Sequence, residues 1–266
     1  MEKKYVLLTG ATGGLGRAFA KELVHAGKNL IITATKLERL EELKTELLSI
    51  NVDVDIVCWQ CDMSKEVSRK ELFECLEKGQ YAIEMLVNNA GYITEGAVSS
   101  VPSNTILQAV RVNCEGTADL TKWIVDNHNS NERLNILTVA SLAAIYPMPY
   151  MAVYAASKAF LLSFMTALRE EVKDKNIVVS TVLPSGIYTT QAMKDAIASQ
   201  GVGGKLSSMQ PEQIAKIALK KIGKAIIIPG AFNKMTKFVS NFASYQSLAK
   251  ITGKRWRKSQ TKRNMI

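Results

Sequence analysis

Residues 5–16 have the sequence Tyr-Val-Leu-Leu-Thr-Gly-Ala-Thr-Gly-Gly-Leu-Gly, in which a short apolar run passes directly into a glycine-rich turn. A helical pattern begins at Leu15, so the turn joins a buried strand to a helix. Glycines let such a turn bend tightly, and the free N–H groups at the helix start can hold phosphate oxygens. The stretch contains no Gly-Lys-[Ser/Thr], which excludes a triphosphate P-loop and favours a dinucleotide ligand.

The same alternation of short apolar runs and longer helical stretches continues to about residue 230. The predicted strands are residues 5–9, 29–34, 53–61, 85–88, 135–140, 177–183 and 225–229. The predicted helices are residues 15–25, 37–49, 65–78, 105–127, 150–173 and 211–222. Several strands are apolar at consecutive positions, as expected for strands covered on both faces. We therefore predict an α/β fold of the Rossmann type, a doubly wound sheet of seven parallel strands with helices on both faces.

Length and composition indicate an ordinary globular protein. The chain has 266 residues, of which 47% are hydrophobic and 22% charged, so it can bury a sizeable core and is neither disordered nor fibrous. We predict a single domain over residues 1–230 and a basic extension over residues 231–266. The apolar run at the amino terminus is too short for a signal peptide, and no run of about eighteen apolar residues occurs. We expect a cytoplasmic protein, either soluble or peripheral to the membrane.

The extension combines a basic composition with a helical stripe of apolar residues. Residues 231–266 contain nine Lys or Arg and no Asp or Glu, within a chain whose formal net charge is +10. The stripe consists of Phe232, Met235, Phe238, Val239, Phe242, Tyr245 and Leu248. Three interpretations remain open: a cover over the substrate pocket or a subunit interface, a membrane contact through residues 231–258, and a nucleic-acid tail. Nucleic acid is the weakest, because no base-reading motif is present. We expect the stripe to pack against the substrate side of the domain or against a partner surface.

The end of the second predicted strand indicates which dinucleotide binds. An NAD-binding chain places an Asp or Glu there to bond the adenosine ribose hydroxyls. This chain instead reads Ile32-Thr-Ala-Thr-Lys36, with no acid before Glu38. Thr35 and Lys36 can offer a hydroxyl and a cation to a 2′-phosphate, which favours NADP. The alternative is that Lys36 is only a solvated start to the next helix.

A second group of residues suggests acid–base chemistry. Tyr154 and Lys158 are four residues apart in the predicted helix 150–173, so they share one face. A free tyrosine has a pKa of about 10, and a neighbouring ammonium would lower it. Ser141 ends the fifth predicted strand, at the edge of the sheet where ligands bind. Asn113 lies in the predicted helix 105–127, where an asparagine is slightly unfavourable and so suggests a specific use.

Together these residues resemble the short-chain dehydrogenase/reductase family, over residues 3–230. The matching motifs are TGxxxGxG at Thr9–Gly16, Asp62 on the adenine side, NNAG at Asn88–Gly91, then Asn113, Ser141, Tyr154 and Lys158. One departure occurs: the usual Pro-Gly pair reads Pro184-Ser185, with the glycine one place later.

The resemblance implies an oxidoreductase that moves a hydride between NADP(H) and a carbonyl or secondary alcohol. It implies that Tyr154 transfers the proton and Ser141 polarises the carbonyl. Lys158 would hold the nicotinamide ribose and lower the tyrosine pKa, and Asn113 would anchor a water linking Lys158 to solvent. The residues expected to bind the cofactor are Gly10, Thr12, Gly13, Gly14, Leu15, Gly16, Thr35, Lys36, Asp62, Met63, Asn89, Ala90, Gly91, Tyr154, Lys158, Pro184, Ile187 and Thr189.

The expected substrate is a small lipophilic carbonyl or alcohol, such as a steroid, bile acid or fatty acyl compound, by analogy with the family. A homo-oligomer, dimer or tetramer, is expected, with neither nucleic acid nor metal. Two alternatives remain. A dinucleotide-binding sensor would not need Asn113, Ser141, Tyr154 and Lys158 together. A sugar-nucleotide epimerase-like enzyme is suggested by TGxxGxxG at Thr9–Gly16, but NNAG and the lack of a larger carboxyl-terminal substrate domain argue against it.

The pair Cys58-Trp-Gln-Cys61 has the spacing of a redox or zinc motif. It lies in a predicted strand, where an odd separation points the two thiols to opposite faces. We therefore predict buried structural thiols.

Overall fold

The computed structural model describes residues 3–263 and contains the predicted sheet of seven parallel strands. Residues 1–2 and 264–266, at the ends of the two predicted ranges, lie outside the described residues. The strands are β1 Lys4–Thr9, β2 Asn29–Ala34, β3 Ile56–Gln60, β4 Ala82–Asn88, β5 Leu134–Val139, β6 Ile177–Val182 and β7 Ile226–Ile227. Their order in the sheet is β3-β2-β1-β4-β5-β6-β7. The predicted α/β fold is confirmed.

The strand order places a crevice at the centre of the sheet. After β1 the chain winds outward through β2 and β3, and it then returns to the other side of β1 to begin β4. Connections leave β1 and β4 in opposite directions, so the loops after these two strands diverge at their carboxyl ends. Such a reversal is the usual ligand site of an open α/β sheet.

The helices cover both faces of the sheet, with two additions and one interruption that the sequence did not predict. They are α1 Gly14–His25, α2 Leu37–Ile50, α3 Glu66–Lys78, α4 Ser103–Val110, α5 Thr117–Asp126, α6 Ala152–Glu171, α7 Gln191–Ser199, α8 Gly201–Ser207, α9 Pro211–Lys220, α10 Ala231–Ser240 and α11 Tyr245–Arg263. The helices α7 and α8 follow the departure at Pro184-Ser185 and were missed. The prediction of one helix over 105–127 is wrong, because a π-helical segment, Arg111–Gly116, separates α4 from α5.

Alternate side chains of the central strands enter two apolar layers. In β1, Val6 and Leu8 pack on one side with α1, α2 and α9, whereas Tyr5 and Leu7 pack on the other with α3, α5 and α6. Cys58 packs against the first layer and Cys61 lies in the second, so the prediction of opposite faces is confirmed. Burial raises the pKa of both thiols, which disfavours the reactive thiolate.

The carboxyl-terminal extension forms two helices, and most of its apolar stripe does not pack against the domain. On α10 the buried side chains are Asn233 and Ser240. The Asn233 amide donates to the carbonyl oxygens of Ser207, at 2.9 Å, and Pro229, at 2.8 Å. These bonds turn the polar face of α10 inward and leave Met235, Phe238, Val239 and Phe242 exposed. The prediction that the stripe packs on the substrate side is wrong for these four residues, whereas Phe232 lines the cavity. Among residues 3–263, no helix is both long and apolar enough to span a bilayer.

Candidate active site

The glycine turn after β1 is packed so tightly that three of its glycines, Gly10, Gly14 and Gly16, have no room for a side chain. Gly10 has a φ of +63°, and a Cβ there would lie 2.8 Å from the Cα of Ala90. A Cβ on Gly16 would lie 2.2 Å from the carbonyl oxygen of Gly10. The start of α1 therefore packs directly against the backbone of the turn, and the turn packs against the loop after β4.

Side-chain hydrogen bonds join this turn to the NNAG loop. The Asn89 amide donates to the carbonyl oxygens of Thr9 and Gly10, both at 3.0 Å. In return, the Thr9 hydroxyl oxygen accepts from the backbone N–H groups of Asn89 and Ala90, both at 3.0 Å. The asparagine thus replaces backbone pairing where β1 and β4 diverge.

The start of α1 has the properties of a pyrophosphate site. Its N-cap residue, Gly13, has no side chain to cap the helix, and the first turn contains no acidic residue. The unpaired N–H groups and the positive end of the helix dipole therefore face the crevice without a competing carboxylate. The space beside Gly13 is open, because a Cβ there would have only the Gly10 carbonyl oxygen within 4 Å, at 3.5 Å. A pyrophosphate can therefore approach the backbone closely, and these residues fit a dinucleotide.

Tyr154 and Lys158 lie on one face of α6, as their spacing predicts. The Lys158 ammonium is buried, donates to the Val139 carbonyl oxygen at 2.9 Å and lies 5.9 Å from the centre of the Tyr154 ring. The Ser141 hydroxyl donates to the Pro184 carbonyl oxygen at 3.4 Å. Ser141 itself is held at the end of β5, where its hydroxyl oxygen accepts from the Ala143 N–H at 3.1 Å.

Both ionisable groups have perturbed pKa values because they are buried. Burial raises the pKa of Tyr154, and the neighbouring Ser141 hydroxyl only partly opposes this. The direction is opposite to the lowered tyrosine pKa that the resemblance implies. Burial also lowers the pKa of Lys158 to about 8, since desolvation disfavours the ammonium. Perturbed groups of this kind in a cleft are typical of functional sites.

Asn113 occupies the π-helical segment and is fully buried. Its side-chain oxygen accepts from the Tyr92 N–H at 2.7 Å, and its amide donates to the Tyr92 carbonyl and to the Ser157 hydroxyl, both at 2.9 Å. The Ser157 hydroxyl in turn donates to the Tyr154 carbonyl at 2.8 Å. The Asn113 side chain therefore connects the NNAG loop to α6, and its amide is already occupied by protein partners. Local π-helical turns are frequent at functional sites.

Thr35, Asp62 and Met63, which are predicted to bind the cofactor, line the same cavity as the glycine turn. Asp62 accepts from the Ser64 hydroxyl at 2.7 Å and from its N–H at 3.0 Å. Burial opposes ionisation of Asp62, but these bonds and Lys65 outweigh it and lower the Asp62 pKa. Lys36 is exposed at the N-cap of α2 and does not line the cavity, unlike Thr35.

The segment after β6 accommodates the displaced glycine. The Pro184 carbonyl accepts from the Leu142 N–H at 2.8 Å, which joins this segment to the loop carrying Ser141. A Cβ on Gly186 would lie 2.2 Å from the Ser208 hydroxyl oxygen, so the glycine allows close packing against the end of α8. Ile187 and Thr189, which are predicted to bind the cofactor, line the cavity.

One cavity of about 700 Å³ joins these parts. It is lined by every residue predicted to bind the cofactor except Lys36, and by Ser141, whereas Asn113 lies behind the wall. Apart from Phe232 in the apolar stripe, the residues at the other end of the cavity were not predicted from the sequence: Tyr92, Ile93, Tyr146, Met148, Met151, Met193, Ile197, Arg255 and Trp256. The only signal for them was the apolar character of the extension, which includes Phe232 and Trp256.

Comparison with known proteins agrees with this geometry. The profile of the short chain dehydrogenase family matches residues 4–200. The chain belongs to this family. Family members bind nicotinamide dinucleotides and act on alcohol or carbonyl groups, so this short chain dehydrogenase is an oxidoreductase of that type.

Relatives extend the similarity over most of the chain. The dehydrogenase/reductase SDR family protein 7-like of Drosophila melanogaster is 30% identical over 82% of this chain and 69% of its own length. The human 17-beta-hydroxysteroid dehydrogenase type 3 is 25% identical over 92% of this chain and 83% of its own. A solved structure of a 7beta-hydroxysteroid dehydrogenase has a TM-score of 0.84 at 20% identity, covering 94% of this chain and 96% of that one. This structural likeness confirms the Rossmann-type fold.

Proposed function

We propose that this short chain dehydrogenase is an NADP(H)-dependent enzyme that interconverts a lipophilic ketone and its secondary alcohol. The observation that carries the proposal is that one continuous cavity contains both the glycine turn and Tyr154. It runs from the glycine turn, past Ser141 and Tyr154, to a chamber lined by Met148, Phe232 and Trp256. A dinucleotide and an apolar substrate can therefore meet beside the tyrosine.

The proposed roles follow from position. When bound, the cofactor supplies or accepts a hydride at nicotinamide C4. Gly13 and Gly14 would hold its pyrophosphate through backbone N–H groups, and Lys158 would bond the nicotinamide ribose. Tyr154 donates a proton to the substrate oxygen during reduction and accepts it during oxidation. Ser141 would donate a hydrogen bond to the same oxygen, which polarises the carbonyl.

The preference for NADP(H) rests on charge at the end of β2. Thr35 lines the cavity there, and no carboxylate follows β2 before Glu38 in the first turn of α2. An acid directly after β2 would repel a 2′-phosphate, whereas the Thr35 hydroxyl can bond it. Lys36 is exposed at the start of α2 and has a long flexible side chain that can turn toward a bound phosphate.

The proposal of a lipophilic substrate is based on the apolar end of the cavity. The names of the similar hydroxysteroid dehydrogenases agree with this proposal.

We also propose a homo-oligomer, dimer or tetramer, located in the cytoplasm. Leu107 and Val110 on α4 are exposed and would suit an apolar subunit contact. The two proposed parts of the chain are a catalytic domain, 1–230, and an extension, 231–266, that covers the cavity.

The test is a panel of ketones that differ in size and polarity, assayed with NADPH and with NADH at the reduced-nicotinamide absorbance. We expect turnover of bulky apolar ketones, with a higher kcat/KM for NADPH. Equal kcat/KM for both cofactors would contradict the assignment of Thr35 and Lys36. Tight NADPH binding without turnover of any ketone would favour the dinucleotide sensor instead.

A further inference from the structure

The outer face of α10 carries a stripe of large apolar side chains that the domain leaves uncovered. Met235, Phe238, Val239 and Phe242 follow each other at helical spacing, and they are 56%, 63%, 60% and 78% exposed. The rings of Phe238 and Phe242 contact each other, with centroids 5.2 Å apart. Contact between four such side chains and water costs free energy. Soluble domains usually expose large apolar side chains singly rather than in one patch.

The domain itself prevents α10 from turning this stripe inward. Asn233, on the opposite face, is buried and makes its two amide bonds to the Ser207 and Pro229 carbonyls. The neighbouring helix α8, which ends at Ser207, adds two further exposed apolar side chains, Val202 and Leu206. The apolar surface therefore faces outward, and the part of the chain that the structure describes leaves it uncovered.

The charge of residues 231–266, the extension that carries the stripe, indicates the chemistry of a partner. Residues 231–266 carry nine Lys or Arg and no acid. Lys234 lies on α10 itself, and Lys250 and Lys254 are exposed on α11. A second copy of the chain docked symmetrically through this face would bring these cations together, which is unfavourable. An anionic lipid surface complements both the apolar stripe and the cations.

We propose that the outer face of α10, with the basic side chains of α10 and α11, docks on the surface of an anionic phospholipid bilayer. Phe238 and Phe242 would enter the boundary between headgroups and acyl chains, and Lys234, Lys250 and Lys254 would contact lipid phosphates. The inner face of the same two helices carries Phe232, Thr252 and Trp256, which line the cavity. Docking thus places the two helices that line the cavity, α10 and α11, against lipid. The proposal does not rest on the enzymatic function, because docking is measured without substrate.

The test is co-sedimentation of the full chain with vesicles of phosphatidylcholine alone or mixed with phosphatidylserine. We expect binding to the anionic vesicles that weakens as salt is raised. The double variant Phe238→Ser with Phe242→Ser should lower the partition coefficient by about tenfold or more, since two exposed aromatic anchors are removed. The matched control is Val67→Ser, which removes an apolar side chain that is 70% exposed on α3. The control should bind as the unmodified chain does.

A second variant keeps the test decisive if the serine variant unfolds. Lys250→Gln with Lys254→Gln changes only exposed side chains and should weaken binding to anionic vesicles by about thirtyfold, the ratio that corresponds to roughly 1 kcal/mol for each of the two cations. Sedimentation velocity of both variants tests the alternative partner, which is a second copy of the chain. If the phenylalanine variant changes an oligomer to a monomer and vesicle binding is absent, the face joins two copies and the proposal fails. Unchanged vesicle binding in both variants also overturns it.

Discussion

The Lys158 ammonium lies 5.9 Å from the centre of the Tyr154 ring, one helical turn further along α6. The Val139 carbonyl oxygen accepts from it at 2.9 Å, so the cation is held at the end of β5 rather than against the phenol oxygen. The ammonium therefore faces the part of the cavity next to Gly91, whose Cβ, if present, would lie 3.4 Å from it. This position suits a contact with a ribose hydroxyl more directly than it suits a shift of the tyrosine pKa.

Replacing Tyr154 by phenylalanine removes the proposed proton donor and keeps the packing of the ring. We expect kcat to fall by about 10²–10⁴-fold, the range of general acid–base catalysis, with NADPH affinity nearly unchanged. Steady-state kinetics and a fluorescence titration with NADPH measure the two quantities. The control is Tyr188→Phe, which removes a phenol that does not line the cavity. A Tyr154→Phe enzyme with more than about a hundredth of the original kcat would refute the role.

The burial of Lys158 predicts a pH-dependent stability. Its pKa is lowered from 10.5 to about 8 in the folded chain, so between these values the unfolded chain binds more protons. The free energy of unfolding should therefore rise with pH across this window, relative to Lys158→Met, by on the order of 3 kcal/mol. Below about pH 8 this contribution is constant. Urea unfolding of both proteins at several pH values measures it, and parallel pH profiles would contradict the burial of the charge.

The cofactor preference can be tested at Lys36. An aspartate at this position places a carboxylate beside the expected 2′-phosphate, and the like charges repel. We expect Lys36→Asp to lower kcat/KM for NADPH by about tenfold or more and to leave NADH little affected. Lys216→Asp, an equal change of charge on the exposed face of α9, is the control. If both variants lose NADPH activity equally, only the overall charge matters and Lys36 makes no specific contact.

The glycine turn offers a matched pair of variants. In Gly16→Ala the new Cβ would lie 2.2 Å from the Gly10 carbonyl oxygen, whereas in Gly13→Ala it would lie 3.5 Å from the same atom. We expect Gly16→Ala to lose about 2 kcal/mol or more of unfolding free energy, although alanine favours a helix interior. Gly13→Ala should lose about 1 kcal/mol or less, the cost of a poorer N-cap. Urea denaturation measures both, and equal losses would show that the close approach is relieved by a backbone shift.

Trp256 is buried on α11 and lines the apolar end of the cavity. Trp256→Ala should reduce kcat/KM for bulky ketones by about tenfold and leave a small ketone nearly unaffected, because only the bulky substrate reaches this wall. Trp123→Ala is the control, since Trp123 stacks on Phe73 away from the cavity. A uniform loss for all substrates in Trp256→Ala would indicate damage to the fold rather than to the substrate chamber.

Much of the site could be predicted because its residues follow strand ends. Parallel strands bring their carboxyl ends to one edge, so residues after β1, β4, β5 and β6 converge although they are distant in the chain. Gly10, Asn89, Ser141 and Ile187 line one cavity for this reason. Asn113 was found by its unfavourable helix propensity, but its bonds to Tyr92 and the π-helical segment were not foreseen. A local turn of this kind depends on partners that sequence periodicity does not reveal.

The sequence by itself determined the order of strands and helices, the glycine turn and the shared face of Tyr154 and Lys158, because these follow from local spacing along the chain. Only the tertiary structure decided which face of α10 is buried, how Trp256 closes the cavity, and in which direction the Tyr154 and Lys158 pKa values shift. Helical periodicity identifies an apolar face, but bonds such as those from Asn233 decide where that face points. Desolvation likewise depends on which distant segments pack around a group, so its effect on a pKa appears only when the chain is folded.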